Sequence, residues 1–305
     1  MKLAAILIAV VVLTAAGQTR ADILAGGSNW REIAFEVIDQ RPVIDARVGE
    51  MPGRMMFDTG TPDAIFLNRE ALQLDGGKFV AQGNASSGQA IEVRVHDAPS
   101  VQLGGQPLAT ATRLRSGDFG FVETAFGADF LGFVGTPAVE GGAFVLDYGR
   151  RVLTVLRTDQ DGALIVPAPA TGDVLAHLTF VTPEGGLPTA AAFIGSLPIG
   201  LDFDTGDHGT LYLRAETQAR LEAQGDLQAG EDSATLPAVS FGGATFPGVS
   251  FNLVRAGGPR DARPWPGSDS LRIGADFLSR HPSLWNFPAG TISILRPGSA
   301  FLVPR

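Results

Sequence analysis

The sequence predicts an all-β fold made of two similar β-barrel lobes of roughly six strands each, related by a pseudo-twofold axis and carrying few short helices. Three observations predict it. The composition is rich in turn formers, short apolar runs are bounded by glycine and proline, and one half of the chain repeats the other. Because both copies carry the same strand and turn signals, we expect the two halves to fold alike.

The composition supports a large core and many tight turns. Of the 305 residues, 45% are hydrophobic and only 18% are charged, which is enough apolar material for one large domain or two ordinary ones. The 39 glycines and 20 prolines indicate frequent turns and leave little sequence for long helices.

Charge and cysteine content exclude several classes of function. The net charge is −9 and no lysine–arginine cluster occurs, whereas a nucleic-acid partner requires a basic patch. The absence of cysteine excludes disulfides, thiolate catalysis and cysteine-ligated metals. The four histidines show no ligand spacing, so the sequence predicts neither a metal nor another cofactor.

The first residues predict a secretory signal peptide at residues 1–21. Lys2 precedes an apolar stretch at residues 3–13, and small residues follow. The alternative is a membrane anchor, but roughly 11 apolar residues cannot span about 30 Å of hydrocarbon. We therefore expect export to the periplasm or the medium, and a mature protein without a membrane segment.

An internal repeat organises the rest of the chain. Residues 48–60 align without a gap on residues 194–206, at an offset of 204 − 58 = 146, and both stretches end in Phe-Asp-Thr-Gly. A second match joins residues 99–105 to residues 237–243, at 237 − 99 = 138. Together with a third match, between residues 127–131 and 274–278, these ordered matches indicate a tandem duplication.

The third match is the pentapeptide Gly-Ala-Asp-Phe-Leu, which occurs at residues 127–131 and again at 274–278, an offset of 274 − 127 = 147. Turn formers and prolines cluster between the two copies and mark a boundary. The sequence therefore predicts an N-terminal lobe at residues 28–160 and a C-terminal lobe at residues 165–305.

Each copy contains strand signals, and helix signals are rare. Residues 43–48 and 54–57 are short apolar runs bounded by glycine and proline. Residues 101–103 and 239–241 alternate apolar and polar residues and precede Gly-Gly, which is typical of hairpins. A clear helix is expected only at residues 214–224.

The repeated Asp-Thr-Gly element points to paired carboxylates, Asp58 and Asp204. An apolar strand that runs into Asp-Thr-Gly presents a carboxylate on a turn that glycine permits. If the copies pack about a twofold axis, the two carboxylates meet and hold one proton between them, because like charges so close cannot both ionise cheaply. The ionised partner can deprotonate water while the other protonates a carbonyl oxygen, which hydrolyses an amide without a metal.

These motifs resemble those of the pepsin/retropepsin superfamily of aspartic peptidases, and most of all its bacterial periplasmic or secreted members with both lobes on one chain. The resemblance covers roughly residues 30–300 and includes hydrophobic-hydrophobic-glycine elements that end at Gly127 and Gly274. The spacings from aspartate to glycine are 127 − 58 = 69 and 274 − 204 = 70. The resemblance implies the acid-protease fold and aspartic endopeptidase activity.

The resemblance also implies roles for individual residues. Asp58 and Asp204 form the catalytic dyad, and Thr59 and Thr205 form a hydrogen-bonded grip beneath it. Thr61 bonds the outer oxygen of Asp58. The residues that support the catalytic loops are therefore Thr59, Gly60, Thr61, Thr205, Gly206 and Asp207, and Gly127 and Gly274 cross behind the loops. A substrate-covering hairpin is expected at residues 82–89.

The second copy departs from the family pattern. Asp207 follows Asp-Thr-Gly where the family has Ser, Thr or Ala, and Arg272 stands where an apolar residue is usual. Asp202 lies on the same strand face as Asp204 by the two-residue period. Several carboxylates around one aspartate raise its pKa. A compensating ion pair between Arg272 and Asp207 is therefore a hypothesis.

Simpler interpretations of the aspartates remain open. Asp58 and Asp204 could cap turns, since Asp-Thr-Gly is a good turn sequence. Asp202, Asp204 and Asp207 could bind a cation, although their spacing matches no standard calcium loop. We predict a monomeric aspartic endopeptidase that acts on peptides or proteins. The alternative is an inactive periplasmic protein that keeps the fold for peptide binding or as a scaffold.

Overall fold

The computed structural model describes residues 8–9, 24, 28–85, 89–182, 187–257 and 269–301. Apart from a two-residue strand at Ile8–Ala9, the predicted signal peptide at residues 1–21 lies outside the described residues. Within the described part of the chain, no helix is both long and apolar enough to cross a bilayer.

Among the described residues, fourteen strands and one short α-helix belong to the N-terminal half. They are β1 Ile8–Ala9, β2 Trp30–Ala34, β3 Glu36–Ile38, β4 Arg41–Val48, β5 Met51–Phe57, β6 Ile65–Asn68, β7 Lys78–Ala85, β8 Ala90–Asp97, β9 Val101–Leu103, β10 Gln106–Leu108, β11 Arg113–Gly117, α1 Glu123–Phe126, β12 Phe130–Val134, β13 Ala143–Asp147 and β14 Val152–Leu156.

Ten strands and two α-helices follow in the C-terminal half. They are β15 Val174–Thr179, β16 Thr189–Ile194, β17 Leu197–Asp204, β18 Thr210–Leu213, α2 Ala215–Gln224, β19 Gln228–Ala229, β20 Ser233–Phe241, β21 Ala244–Arg255, β22 Ser270–Gly274, α3 Ala275–Leu278, β23 Ser283–Asn286 and β24 Thr291–Leu295. Short 3₁₀ turns occur at Gly120–Val122, Thr136–Ala138 and Thr171–Asp173.

The strands form one sheet in each lobe and a third sheet between the lobes. The N-terminal sheet has 11 strands, in the order β1-β7-β8-β11-β6-β12-β5-β4-β9-β10 with β3 paired to β4. The C-terminal sheet has seven, in the order β16-β17-β22-β18-β21-β20-β19, and it closes through a further β16–β20 pairing. The predicted all-β, two-lobe fold with few short helices is confirmed.

The sheet between the lobes has six strands, in the order β15-β24-β23-β13-β14-β2. Three come from each half of the chain, and the halves meet where β13 and β23 pair antiparallel. Two antiparallel strands of corresponding position are related by a twofold axis between them, as expected for a folded duplication.

A row of buried aromatic rings links this central sheet to the strands that lead into the two Asp-Thr-Gly turns. Phe144 on β13 contacts Phe57 at a ring-centre distance of 5.2 Å and stacks on Trp285 at 5.3 Å. Trp285 in turn contacts Phe203 at 5.5 Å. Since Phe57 and Phe203 directly precede the predicted catalytic aspartates, the packed core fixes where both turns begin.

Candidate active site

The two Asp-Thr-Gly turns lie at matching positions in their lobes. Asp58 follows β5, and β5 runs parallel to β12 with Phe57 opposite Val134. Asp204 ends β17, which runs parallel to β22 with Asp204 opposite Gly274. Each aspartate therefore emerges at the end of a strand that is held on both sides, so its backbone position is fixed by the sheet.

The structure brings Asp58 and Asp204 together at the lobe interface. Only 1% of Asp58 and 2% of Asp204 is exposed, and each carboxyl group lies against the turn that carries the other. A Cβ atom added to Gly60 would lie 2.7 Å from Asp204 Oδ1, and one added to Gly206 would lie 2.7 Å from Asp58 Oδ1. The glycine of each turn thus covers the carboxylate of the other lobe, where no side chain fits.

A symmetrical threonine grip joins the turns below the carboxylates. The Thr59 N–H donates to Thr205 Oγ1 at 3.0 Å, and the Thr205 N–H donates to Thr59 Oγ1 at 3.0 Å. The hydroxyls then donate to the opposite lobe, Thr205 to the Phe57 carbonyl at 3.0 Å and Thr59 to the Phe203 carbonyl at 3.4 Å. These buried bonds hold the two turns in one register.

The outer oxygens of the two aspartates have different partners. In the first lobe, the Thr61 hydroxyl donates to Asp58 Oδ2 at 2.8 Å. In the second lobe the matching residue is Asp207, whose carboxylate instead accepts the Gly209 N–H at 2.6 Å and the Thr210 hydroxyl at 3.0 Å. The Asp207 side chain is turned into its own loop, and no hydrogen bond from it to the Asp204 carboxylate occurs in the described structure.

Arg272 contacts the outer oxygen of Asp204 instead. Its guanidinium binds Asp202 through two bonds, Nε to Oδ1 at 2.7 Å and Nη2 to Oδ2 at 2.9 Å. Nη1 lies 3.2 Å from Asp204 Oδ2 and 3.8 Å from Asp207 Oδ2. The hypothesised Arg272–Asp207 pair is therefore present only as a long contact, because Asp202 stands directly opposite Arg272 in the β17–β22 register and takes the two-pronged contact.

Both dyad aspartates are harder to ionise than an ordinary aspartate. Burial raises the pKa of Asp58, and hydrogen bonds from Thr61 and from the Gly60 N–H partly offset it. The pKa of Asp204 is raised well above its usual value, first by burial and then by the neighbouring Asp58 charge, while Arg272 opposes the rise. The pair therefore retains a shared proton to higher pH than separate carboxyls would.

Gly274 lies where the resemblance implies, directly behind the second turn. A Cβ atom there would come within 2.3 Å of the Asp207 carbonyl and 2.4 Å of the Gly209 nitrogen. The Ala275 N–H donates to the Asp207 carbonyl at 2.6 Å, which ties the two backbones together. Only glycine permits this approach.

Gly127 does not lie behind the first turn, and its assignment as a motif glycine was wrong. It ends α1, and a Cβ atom there would meet only the side-chain tips of Arg54 and Asp129. Gly135 takes the role, since its Cβ would lie 2.3 Å from both the Thr61 and the Asp63 carbonyl oxygens.

The signal for Gly135 was present in the repeat offsets. The offset falls from 146 at the aspartates to 138 at residues 99–105, and Gly135 pairs with Gly274 at 274 − 135 = 139. The offset of 147 at the pentapeptide would require the offset to rise again after it has fallen to 138. In the structure the first pentapeptide runs from the end of α1 into β12, whereas the second runs from the end of β22 through α3.

Sequence analysis missed an arginine that connects the lobes. Arg41, 1% exposed at the start of β4, donates from Nε to the Gly206 carbonyl at 2.8 Å. Its Nη1 contacts the Asp39 carboxylate and lies 3.2 Å from His208 Nε2. His208 Nδ1 lies 2.9 Å from Asp276 Oδ1, and this hydrogen bond raises the pKa of His208. No feature of the Arg41-Pro42 sequence singles it out.

A hairpin stands where the substrate-covering segment is expected. β7 and β8 pair antiparallel up to Asn84 opposite Ala90, and residues 86–88 lie outside the described residues. Across the described ranges, no three histidine, aspartate or glutamate side chains are arranged to hold a metal ion.

Fold and site together define a chain with the pepsin-like, bilobal aspartic-protease fold. Among solved structures, Basic 7S globulin from soybean superposes with a TM-score of 0.51 and 10% sequence identity, covering 88% of this chain and 95% of that one. That neighbour is named as a globulin and not as a peptidase, so the likeness establishes the fold alone. No protein-family model and no curated protein matches the sequence.

Proposed function

We propose that the protein is an aspartic endopeptidase that hydrolyses peptide bonds with a water molecule activated between Asp58 and Asp204. The observation that carries the proposal is the meeting of two buried carboxyl groups, one from each lobe, each packed against the Asp-Thr-Gly turn of the other. Two isolated turn-capping aspartates have no reason to meet at a lobe interface, where their mutual repulsion is costly unless they share a proton.

The chemistry follows from that shared proton. The ionised carboxyl takes a proton from water as the water oxygen attacks the carbonyl carbon of the substrate, and the protonated carboxyl donates its proton to the carbonyl oxygen. The resulting diol returns one hydroxyl proton to the second carboxyl. The first carboxyl protonates the amide nitrogen as the carbon–nitrogen bond breaks. The dyad ends with its original single proton.

The surrounding residues support this cycle by holding charge and position. Thr61 and the Gly60 N–H both donate to Asp58 and stabilise its carboxylate. The threonine grip prevents the two turns from separating when one of them carries charge. Catalysis of this kind depends on fixed dipoles at the reacting groups, which a buried and hydrogen-bonded site provides. Export and a peptide or protein substrate belong to the same proposal.

One observation favours a second candidate, an inactive protein that binds peptides or serves as a scaffold. The Asp207 side chain accepts hydrogen bonds at the position where the Thr61 hydroxyl donates one in the first lobe, so Asp204 lacks the hydroxyl donor that Asp58 has. An added buried carboxylate near the dyad also disfavours ionisation. This candidate keeps the fold and loses hydrolysis.

Incubation of the purified mature protein with a broad peptide library between about pH 3 and pH 8 separates the two candidates. We expect cleavage by the wild type and none by Asp58→Asn or Asp204→Asn, with thermal unfolding showing that both variants fold. Asp97→Asn, at a side chain that is 99% exposed, is the matched control and should cleave normally. Peptide binding without cleavage, or cleavage that survives Asp58→Asn, would refute the peptidase.

A further inference from the structure

The second lobe contains a buried charged cluster that the first lobe lacks. It consists of Asp202, Arg272 and Asp207 around Asp204, and we call it the arginine cluster. Of these side chains only Asp202 reaches 17% exposure, and the others are buried. At the corresponding place the first lobe has the neutral hydroxyl of Thr61.

The geometry of the cluster fixes the guanidinium. Arg272 lies on β22 between β17 and β18, opposite Asp202 on one side and Thr210 on the other. The two-pronged bond to Asp202 orients the plane of the guanidinium, which leaves Nη1 between Asp204 Oδ2 and Asp207 Oδ2. A planar fork held at two points is more rigid than a lysine ammonium would be.

We infer that Arg272, held by Asp202, is a positioning residue whose ion pair with the outer oxygen of Asp204 takes the place of the missing hydroxyl donor and makes Asp207 tolerable beside the dyad. The inference rests on the proposed function. Asp207 cannot donate a hydrogen bond when ionised, and its charge opposes the ionisation of Asp204. Arg272 supplies both the contact and the opposite charge.

The inference predicts that Arg272 and Asp207 depend on each other. With Arg272 removed, Asp202 and Asp207 face Asp204 without a cation. With Asp207 also replaced by threonine, the hydroxyl of the first lobe is restored and one of the opposing charges is gone. The other charged groups near Asp204 are Asp58 and Arg41, with Asp39, His208 and Asp276 beyond them, and they are the same in every variant.

The test compares the wild type with Arg272→Met, Arg272→Lys, Asp207→Thr and the double variant Arg272→Met/Asp207→Thr. We expect Arg272→Met to lower kcat by about 100-fold with little change in KM, because a misplaced carboxylate harms the reaction more than binding. It should also move the alkaline limb of the pH–rate profile to higher pH. Arg272→Lys should recover only part of kcat, and the double variant should recover most of kcat and of the profile.

If Arg272→Met does not fold, Asp207→Thr alone still tests the inference, because it keeps Arg272 and removes the neighbouring negative charge. This variant should move the alkaline limb of the pH–rate profile to lower pH. Carboxyl-carbon NMR of aspartate-labelled protein gives a readout that needs no hydrolysis. The Asp204 titration should move to higher pH in Arg272→Met and return in the double variant. An unmoved Asp204 titration, or a double variant no better than Arg272→Met, overturns the inference, whereas hydrolysis absent from every protein refutes only the peptidase.

Discussion

Thr61 and Asp207 occupy corresponding positions after the two Asp-Thr-Gly turns, yet only the Thr61 side chain donates a hydrogen bond to the carboxylate of its own turn, at 2.8 Å from Asp58 Oδ2. Asp207 bonds its own loop instead, and Arg272 reaches Asp204. The duplicated scaffold is therefore symmetrical in its backbone and asymmetrical in its charges. The two carboxyls of the dyad are chemically unequal for that reason.

The shared proton sets the pH range of hydrolysis. The pKa of both Asp58 and Asp204 is raised, first of all by burial, and the dyad works only while it holds one proton. Because burial makes the last proton leave above the usual aspartate range near pH 4, we expect the alkaline limb of the kcat/KM profile to lie above that range. Initial rates across the pH range measure it, and a limb near pH 4 would contradict the expectation.

The threonine grip should matter more to stability than an ordinary pair of surface hydroxyls. Thr205→Val removes the acceptor of the Thr59 N–H and the donor to the Phe57 carbonyl, both of which are buried. We expect the free energy of unfolding to fall by about 2–4 kcal/mol, since each buried polar group left unsatisfied costs about 1–3 kcal/mol. Urea denaturation measures this loss.

Thr245→Val is the matched control for the grip. Thr245 is exposed and its hydroxyl lies 2.8 Å from that of Ser240, so the same change should cost less than about 0.5 kcal/mol. If Thr205→Val were as mild as the control, the grip would contribute little to holding the lobes.

Much of this arrangement could be predicted from the sequence, because each Asp-Thr-Gly turn follows an apolar strand and the copies match without a gap. The repeat offset of 146 equals the separation of Thr59 and Thr205, which bond each other. The partners of Arg272 could not be predicted, since the choice between Asp202 and Asp207 depends on the strand register of β17 and β22. Arg41 was missed because its contacts come from distant segments.

Alanine substitutions at two glycines test the corrected position of the first motif glycine. In Gly135→Ala the methyl group would lie 2.3 Å from the Thr61 and Asp63 carbonyl oxygens, which are backbone atoms of the first turn. We expect this variant to displace Thr61 and to lose at least about 100-fold in kcat/KM, because small displacements at a reacting group are costly. Steady-state kinetics measures the loss.

Gly127→Ala is the paired control. Gly127 has a φ of 95°, so alanine there should cost about 1 kcal/mol of stability. The atoms that the added methyl group meets are the side-chain tips of Arg54 and Asp129, and none of them belongs to the first Asp-Thr-Gly turn. Its kcat/KM should stay near that of the wild type. Equal losses of activity in the two variants would restore Gly127 as a motif glycine.

Removal of the central indole should loosen both turns together. Trp285 is fully buried and contacts Phe144 and Phe203. Phe203 directly precedes Asp204, and Phe144 contacts Phe57, which directly precedes Asp58. Trp285→Ala should cost about 3–5 kcal/mol of folding free energy, the usual range for large-to-small changes in a core. Trp285→Phe keeps most of the ring area and should cost less. Equal denaturation midpoints for the two variants would contradict this role.

Asp63 gives a prediction that does not depend on hydrolysis. Burial raises its pKa to about 6, and the guanidinium of Arg115, 3.3 Å away, opposes that rise. Between about pH 4 and pH 6 the unfolded chain releases this proton while the folded chain keeps it, so stability falls as pH rises through that window.

Asp63→Asn cannot ionise. Its free energy of unfolding relative to the wild type should therefore rise by up to about 3 kcal/mol from pH 4 to pH 7, as urea denaturation at several pH values would measure. The comparison with the wild type cancels the contribution of the dyad. A difference that is flat across the window would show that Asp63 is already ionised in the folded protein at pH 4.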